Sequence, residues 1–430
     1  MSTPRLRDYK GPAIFSYGFR PFFFLGSIYA GAMILIWLPV FEGQMELPTA
    51  FPPRDWHVHE MLFGYVAAVV GGFLLTAIPN WTGRLPLQGF PLAVLVSTWL
   101  AGRIAVCMSE WTGWAIACAI DAAFLTLLAA AAAREIVAAR KWGNVPVVGI
   151  VSLLCLGNVA FHIEAHFDGI AEYSTRFCIP IVITLVALIG GRIVPSFTRN
   201  WLTRQRPGRM PAPFGGFDAI VNAASVAALA TWIVAPSGKT TGVLLVIAGC
   251  LHVARLARWV GYRAATDRLV LILHLAYAFI PAGFVLTGLS AVNALPASAG
   301  IHAWTAGTIG SMTIAVMTRA ILGHTGRTLK ASAGTQMIYA AIVAAALARI
   351  GASVAPSQMY VLLDVAAAAW VFAFLGFAAL YGRALCTNQV GLKAWTARRQ
   401  IFLSDLRHLN KDRQKWRDGR CEKDAAGSAP

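Results

Sequence analysis

The sequence predicts an all-α fold, a polytopic transmembrane helical bundle of about 12 spans with its N- and C-termini in the cytoplasm. Of the 430 residues, 57% are hydrophobic and only 13% are charged, whereas about 25% are charged in soluble domains. The apolar residues also fall into blocks of about twenty, the length at which a helix crosses about 30 Å of hydrocarbon. The chain therefore lacks the polar surface that a soluble protein of this size needs.

Clusters of proline, glycine and charge separate the apolar blocks and mark the ends of the spans. Residues 1–20 are predicted to form a cytoplasmic segment, 21–382 the transmembrane domain, and 383–430 a basic cytoplasmic tail. The first block is too long for the apolar region of a signal peptide, so we expect it to be retained. The predicted spans are 21–40, 60–79, 89–107, 114–133, 145–166, 177–195, 217–235, 241–258, 269–290, 298–318, 335–355 and 358–382.

The distribution of basic residues predicts the orientation. With the N-terminus in the cytoplasm, 31 of the 36 lysine and arginine residues lie on the cytoplasmic side and 5 on the other. Such an excess is typical of cytoplasmic loops. It predicts a multi-pass protein of an inner (cytoplasmic) membrane and explains the net charge of +17 by topology and by contact with anionic membrane lipids. We therefore expect no nucleic-acid partner.

Eight of the nine histidines lie within the spans or at their edges, where ionisable side chains are costly and usually have a function. A single membrane histidine is more often structural, but the predicted topology brings several to a similar depth. The group near the outer face comprises His57, His59, His162, His166 and His302, and the group toward the inner side comprises His252, His274 and His324.

The outer histidines are candidate metal ligands. His162 and His166 are four residues apart and share one helical face. His57 and His59 are two residues apart, so both can point inward only if residues 57–59 are extended, and the preceding prolines favour that. Imidazole ligands suit copper, iron or zinc. Glu60 is either an acceptor that orients a ligand histidine or only an interfacial charge.

The inner histidines are candidate cofactor ligands. His252 and His274 both lie about 8–9 Å below the inner surface at about 1.5 Å per residue, so they could share a haem iron or a metal ion. Helices in contact are about 8–10 Å apart, too close to enclose a porphyrin, so these two would have to splay. His324 is an alternative partner. Asp121, within the fourth span, could serve a proton path or form hydrogen bonds between helices.

Several motifs resemble the NnrS family, the haem- and copper-containing membrane proteins of the bacterial nitric oxide response. They are spread over most of the chain and occur at residues 18–23 (GFRPFF), 56–64 (WHVHEMLFG), 72–83 (GFLLTAIPNWTG), 191–200 (GRIVPSFTRN) and 323–327 (GHTGR).

The resemblance implies twelve spans, haem b, copper, and nitric oxide as the partner in denitrification or protection against nitrosative stress. His57, His59 and His324 fall within the matching motifs; the other histidines rest on depth and spacing alone. The oligomeric state and any catalysis stay open.

Two other functions are compatible with the sequence. Twelve spans with both ends inside is a common transporter layout, and membrane histidines could relay protons in a proton-coupled secondary transporter. Against this, no pair of corresponding broken spans is evident. The chain could also be an assembly or signalling scaffold in which the histidines are structural.

Overall fold

The computed structural model describes residues 9–387, so most of the predicted tail, including His408, lies outside the described residues. Every regular element in this part of the chain is helical, and twelve helices are long and apolar enough to cross a membrane. In chain order they are α1 Phe19–Phe41, α2 Pro53–Thr82, α3 Phe90–Cys107, α4 Trp114–Ala138, α5 Trp142–Phe167, α6 Tyr173–Leu202, α7 Gly216–Val234, α8 Lys239–Ala257, α9 Arg268–Ala291, α10 Ala297–His324, α11 Ala333–Val354 and α12 Pro356–Cys386.

The predicted all-α fold with twelve spans is confirmed, and the largest difference is at the start of α2. The predicted span begins at residue 60, whereas the helix begins at Pro53. Its first turn contains charged Arg54 and Asp55, which lower the local hydropathy, so the apolar pattern does not include this turn. Proline is well suited to the first position of a helix because its fixed φ is helical and its missing N–H would have had no partner there.

Helices that follow each other in the chain pack side by side, and the first helix, α1, packs against the last, α12. The most apolar part of α2 is 89% buried and that of α10 is 72% buried, whereas the same part of α4 is 39% buried. α2 and α10 are therefore central, and the exposed apolar side chains of the peripheral helices, such as Ile104 and Leu156, are expected to face lipid.

Arg20 connects the first helix to the end of the last. Its Nη1 donates hydrogen bonds to the carbonyl oxygens of Leu385 at 2.9 Å and Thr387 at 2.8 Å. The last carbonyls of a helix have no partner within the helix. Arg20, within the first of the matched motifs, thus caps α12 from α1.

The two central helices both contain a π-helical segment near the end where α1 ends and α2 begins, which is called the outer end below. Glu60–Val66 is π-helical in α2, and Ala303–Gly310 is π-helical in α10. Each segment follows a short α-helical start, Pro53–His59 or Ala297–His302. π-Helical turns are rare and often occur at functional sites. The sequence did not reveal this pair of irregular spans.

Because the number of spans is even, the N- and C-termini of the bundle lie on the same side of the membrane. The distribution of basic residues predicts that this side is the cytoplasm. Green fluorescent protein fused after Lys141 should fluoresce, and alkaline phosphatase fused after Gln44 should be active. The reverse pattern at both positions would contradict the predicted orientation.

Candidate functional site

The first two turns of α2 carry side chains of two different sites. Residues 57–59 are helical, not extended as expected if both histidines faced one metal. Two residues along a helix correspond to a rotation of about 200°, so the rings of His57 and His59 point in different directions. His59 faces α4 and α5, and His57 faces a cavity bounded by α1 and α10.

The buried ion cluster consists of Glu60, Arg103 and Asp121 together with His59 and His162. Nε2 of His59 lies 3.1 Å from Oδ2 of Asp121, and Nε2 of His162 lies 3.3 Å from the same oxygen. One nitrogen or oxygen atom from each of these three residues falls within 4.8 Å of the others, close enough to hold one metal ion. All three side chains are at least 98% buried.

Both ring nitrogens of His59 contact oxygen atoms of neighbouring side chains. Nδ1 lies 2.9 Å from Oε1 of Glu60, and Nε2 lies 3.0 Å from Oδ1 of Asn158. The Asn158 amide is oriented by its Nδ2, which donates to Asp121 at 2.8 Å. Both ring nitrogens thus face acceptor oxygens, but a neutral imidazole has only one N–H. An imidazolium, or a metal ion bound at Nε2, satisfies both sides.

Arg103 connects the two carboxylates of the cluster. Its Nη1 donates to both carboxylate oxygens of Glu60 at 2.8 Å, and its Nη2 donates to Asp121. The Tyr29 hydroxyl of α1 also donates to Glu60. Two carboxylates and one guanidinium have a formal charge of −1, which a bound cation or an imidazolium would neutralise. The cluster therefore joins α1, α2, α3, α4 and α5.

Small residues allow the helices around the cluster to approach closely. A Cβ atom on Gly102 would lie 2.8 Å from Oδ1 of Asp121, and one on Gly64 would lie 2.6 Å from the Tyr29 ring. The rings of Phe51, Phe63 and Phe161 lie 4.9–5.3 Å from that of His59. This apolar wall keeps water away and strengthens electrostatic interactions inside the cluster.

The second site is a large cavity at the outer end of the bundle, called the outer cavity. Its volume is about 840 Å³, and it is bounded by α1, α2, α6, α10, α11 and α12. Pockets for small molecules and cofactors measure about 300–1,000 Å³ and are mostly apolar with a few polar groups. The outer cavity fits this description, since mainly apolar side chains line it together with His57, His302 and Arg349.

The two cavity histidines are held by different contacts. The ring of His57 stacks on Trp37 at 4.4 Å, and its Nδ1 is buried without a hydrogen-bond partner among the described residues. Nδ1 of His302 donates to the carbonyl oxygen of Ser298 at 2.7 Å. This bond leaves Nε2 of His302 as the nitrogen with a free lone pair. Both rings can therefore offer a nitrogen to a metal.

The remaining candidate histidines lie apart from both sites. His166 is exposed and stacks on Trp114 at 4.6 Å, although it is only one turn from His162. The two rings leave α5 in different directions because His162 turns toward the buried ion cluster. The spacing of four residues placed both on one helix but could not show where each side chain points.

The inner histidines His252 and His274 have different hydrogen-bond partners. Both nitrogens of His252 have protein partners, Tyr277 at 2.9 Å and Ser225 at 2.8 Å, whereas Nε2 of His274 is 2.8 Å from Thr198. A cavity beside His252 measures only about 10 Å³, about the space of one water molecule.

His324 packs near the N-terminal end of α1. Its ring lies 5.4 Å from the ring of Tyr17 and 5.5 Å from that of Phe19. Burial raises the pKa of Tyr17, which precedes α1, to about 12. The GHTGR motif is thus packed against the segment that leads into the GFRPFF motif.

Sequence reasoning missed Arg103, Asn158 and Tyr29 as members of a site. Arg103 is one of the five basic residues on the side opposite the cytoplasm in the predicted topology, and it is buried within α3. One signal was available, because Asn158 and His162 are four residues apart within an apolar helix. The pairing of Arg103 with Asp121 is a contact between helices that spacing cannot reveal.

Together, the fold and the two sites define a polytopic helical membrane protein with a buried histidine and carboxylate cluster beside a large cavity. The family model described as NnrS protein matches residues 13–389. The chain therefore belongs to the NnrS family, as the motifs indicated. No curated protein matches the chain.

Replacing Arg103 with glutamine should destabilise the protein strongly. Removing one partner of a buried ion pair leaves an uncompensated charge and costs about 3–5 kcal/mol. The free energy of unfolding in mild detergent measures this loss. Arg134→Gln is the matched control, because the side chain of Arg134 is 66% exposed and its loss should change the free energy by less than about 0.5 kcal/mol. Equal stability of the two variants would contradict this role of Arg103.

Proposed function

We propose that this protein is an integral membrane protein that carries haem b and copper and binds or responds to nitric oxide. Its role would be in denitrification or in protection against nitrosative stress, in the inner membrane of a bacterium. The proposal is carried by two adjacent histidine sites on α2, one with the donors for a metal ion and one with the space for a large cofactor. Membership of the NnrS family supports both groups.

Copper is proposed to bind to His59, Asp121 and His162. Imidazole nitrogen is a good ligand for copper, and copper binds such donors more tightly than the other divalent metals of its row. Glu60 accepts from Nδ1 of His59, which leaves Nε2 for the metal. Metal-binding histidines commonly have such a carboxylate partner, which fixes the tautomer.

Haem b is proposed to occupy the outer cavity, with His57 and His302 as its candidate ligands. This assignment differs from the expected inner site at His252, His274 and His324. Beside His252 the space is about 10 Å³, against about 840 Å³ in the outer cavity. The buried Nδ1 of His57 has no hydrogen-bond partner among the described residues, and a ligand bond would satisfy it.

The location of both sites within the membrane suits the proposed partner. Nitric oxide is small, uncharged and soluble in lipid, so it reaches a buried site through the bilayer. Ferrous haem and cuprous copper supply centres that bind nitric oxide, and the protein sets their affinity through ligand identity, hydrogen bonds and local dielectric. The chain's own contribution is to exclude water with Phe51, Phe63 and Phe161 and to orient His59 through Glu60.

A proton-coupled secondary transporter is the second candidate function. The two π-helical segments favour it, because α2 and α10 deviate from regular α-helix beside a cavity that six helices line. Transporter sites often lie between irregular helices. Proton-coupled uptake of a solute by proteoliposomes that contain protein free of haem and copper would support the transporter and contradict the haem and copper proposal.

The two cofactors should be lost independently. In the double variant His59→Gln, His162→Gln, the purified protein should lose its copper and keep its haem, because only the buried ion cluster is changed. In the double variant His57→Gln, His302→Gln, the haem absorption should be lost and the copper kept. Elemental analysis and optical spectra measure both contents.

His166→Gln is the matched control for these variants, because His166 is an exposed histidine one turn from His162. It should retain both cofactors. Retention of copper after loss of both His59 and His162 would contradict the copper site. A preparation without iron or copper after expression with added haem and copper would contradict the whole proposal.

Nitric oxide should change the optical spectrum of the reduced protein. The change should disappear in the His57→Gln, His302→Gln variant, which lacks the haem ligands, and persist in His166→Gln. Titration under anaerobic conditions gives the amount of nitric oxide bound per haem. A reduced, haem-containing protein whose spectrum nitric oxide does not alter would rule out binding at the haem.

A further inference from the structure

Arg349 is a partly buried cation that lines the outer cavity and has no carboxylate partner among the described residues. It lies in α11, and its guanidinium has one hydrogen bond as a donor, from Nη1 to Oγ of Ser353 at 2.9 Å. Within residues 9–387 it takes part in no ion pair, and no acidic residue lines the cavity. An arginine that lacks a counter-charge inside an apolar membrane protein is unfavourable. A ligand that supplies the missing anion would remove this cost.

Each buried arginine of the described chain has a carboxylate or several carbonyl oxygens as hydrogen-bond acceptors. Arg103 pairs with Glu60 and Asp121, and Arg255 pairs with Asp218 at 2.8 Å. Arg20 has carbonyl oxygens of the last helix as acceptors. Arg349 donates to a single hydroxyl group instead, and it lines the outer cavity. This arginine without a counter-charge lies at the outer cavity.

The lining of the outer cavity restricts the chemistry of its occupant. Most of its surface is apolar, from side chains such as Trp37, Leu363 and Trp370, and its polar groups are hydroxyls, two imidazoles and two guanidinium groups, with no carboxylate among the described lining residues. An occupant that matches this lining is largely hydrophobic and carries an anionic group. The planar guanidinium forms two parallel hydrogen bonds with a carboxylate. The expected class is therefore an amphipathic carboxylate.

We propose that Arg349 binds a carboxylate of the ligand in the outer cavity, and that this carboxylate is a propionate of the proposed haem. The inference rests on the proposed function, since haem is a hydrophobic macrocycle that bears two carboxylates. It goes further by assigning the anion-binding residue. Arg54, the other arginine at the cavity, is half-exposed and already pairs with Glu172 at 3.1 Å, so it is not assigned this role.

The test compares haemin with its dimethyl ester, in which both propionates are uncharged. The full-length protein and its Arg349→Gln variant are purified from haem-deficient cells and titrated with each compound in detergent. The wild-type protein should bind haemin roughly 10- to 100-fold more tightly than the ester, because hydrogen bonds to charged groups contribute this much. Arg349→Gln should weaken haemin binding by a similar factor and leave ester binding within about 3-fold.

Arg54→Gln is the matched control and should change neither affinity by more than about 3-fold, because its guanidinium is half-exposed and pairs with Glu172. Equal binding of haemin and ester by the wild-type protein would overturn the role of Arg349 without any variant, so the test does not depend on how Arg349→Gln folds. A loss of affinity in Arg349→Gln that is the same for both compounds would also overturn it. Failure of the wild-type protein to bind either compound would instead overturn the haem site itself.

Discussion

The outer half of this bundle depends on one guanidinium, that of Arg103, held between two carboxylates in an apolar environment. Burial of three charges is costly unless each has partners with good geometry. Arg103 satisfies Glu60 and Asp121 together, and these residues come from three different helices. Tyr29 and Asn158 add hydrogen bonds from two more helices. The cluster therefore fixes the relative positions of five of the twelve spans.

The charges of Glu60, Asp121 and Arg103 also favour a bound cation in the cluster. The formal charge of its two carboxylates and one guanidinium is −1, and both nitrogens of His59 face acceptor oxygens. A metal ion at His59, Asp121 and His162 would correct both imbalances at once. The charges that hold the helices together are thus also those that favour a cation, since Asp121 contacts both Arg103 and the two histidines.

Much of the fold could be predicted from sequence because it follows from local chemistry. Length and hydropathy located all twelve spans, and only polar helix ends, such as the turn that begins at Pro53, were missed. The site was predicted less completely. His59 and His162 were correctly expected near one depth. His57 and His59 belong to one sequence motif, but a rotation of about 200° around the helix axis directs their side chains into different sites. The role of Arg103 could not be predicted, since its partners come from other helices and no spacing within α3 reveals them.

The central claim is that His59, Asp121 and His162 hold copper. X-ray absorption at the copper edge of the purified protein tests it most directly, because this spectrum reports the elements bound to the metal. A copper ion at this site should show a shell of nitrogen and oxygen atoms with the outer scattering of two imidazole rings, and this signal should be lost when His59 and His162 are both replaced. A shell that contains sulfur, or an imidazole signal that survives this replacement, would contradict it.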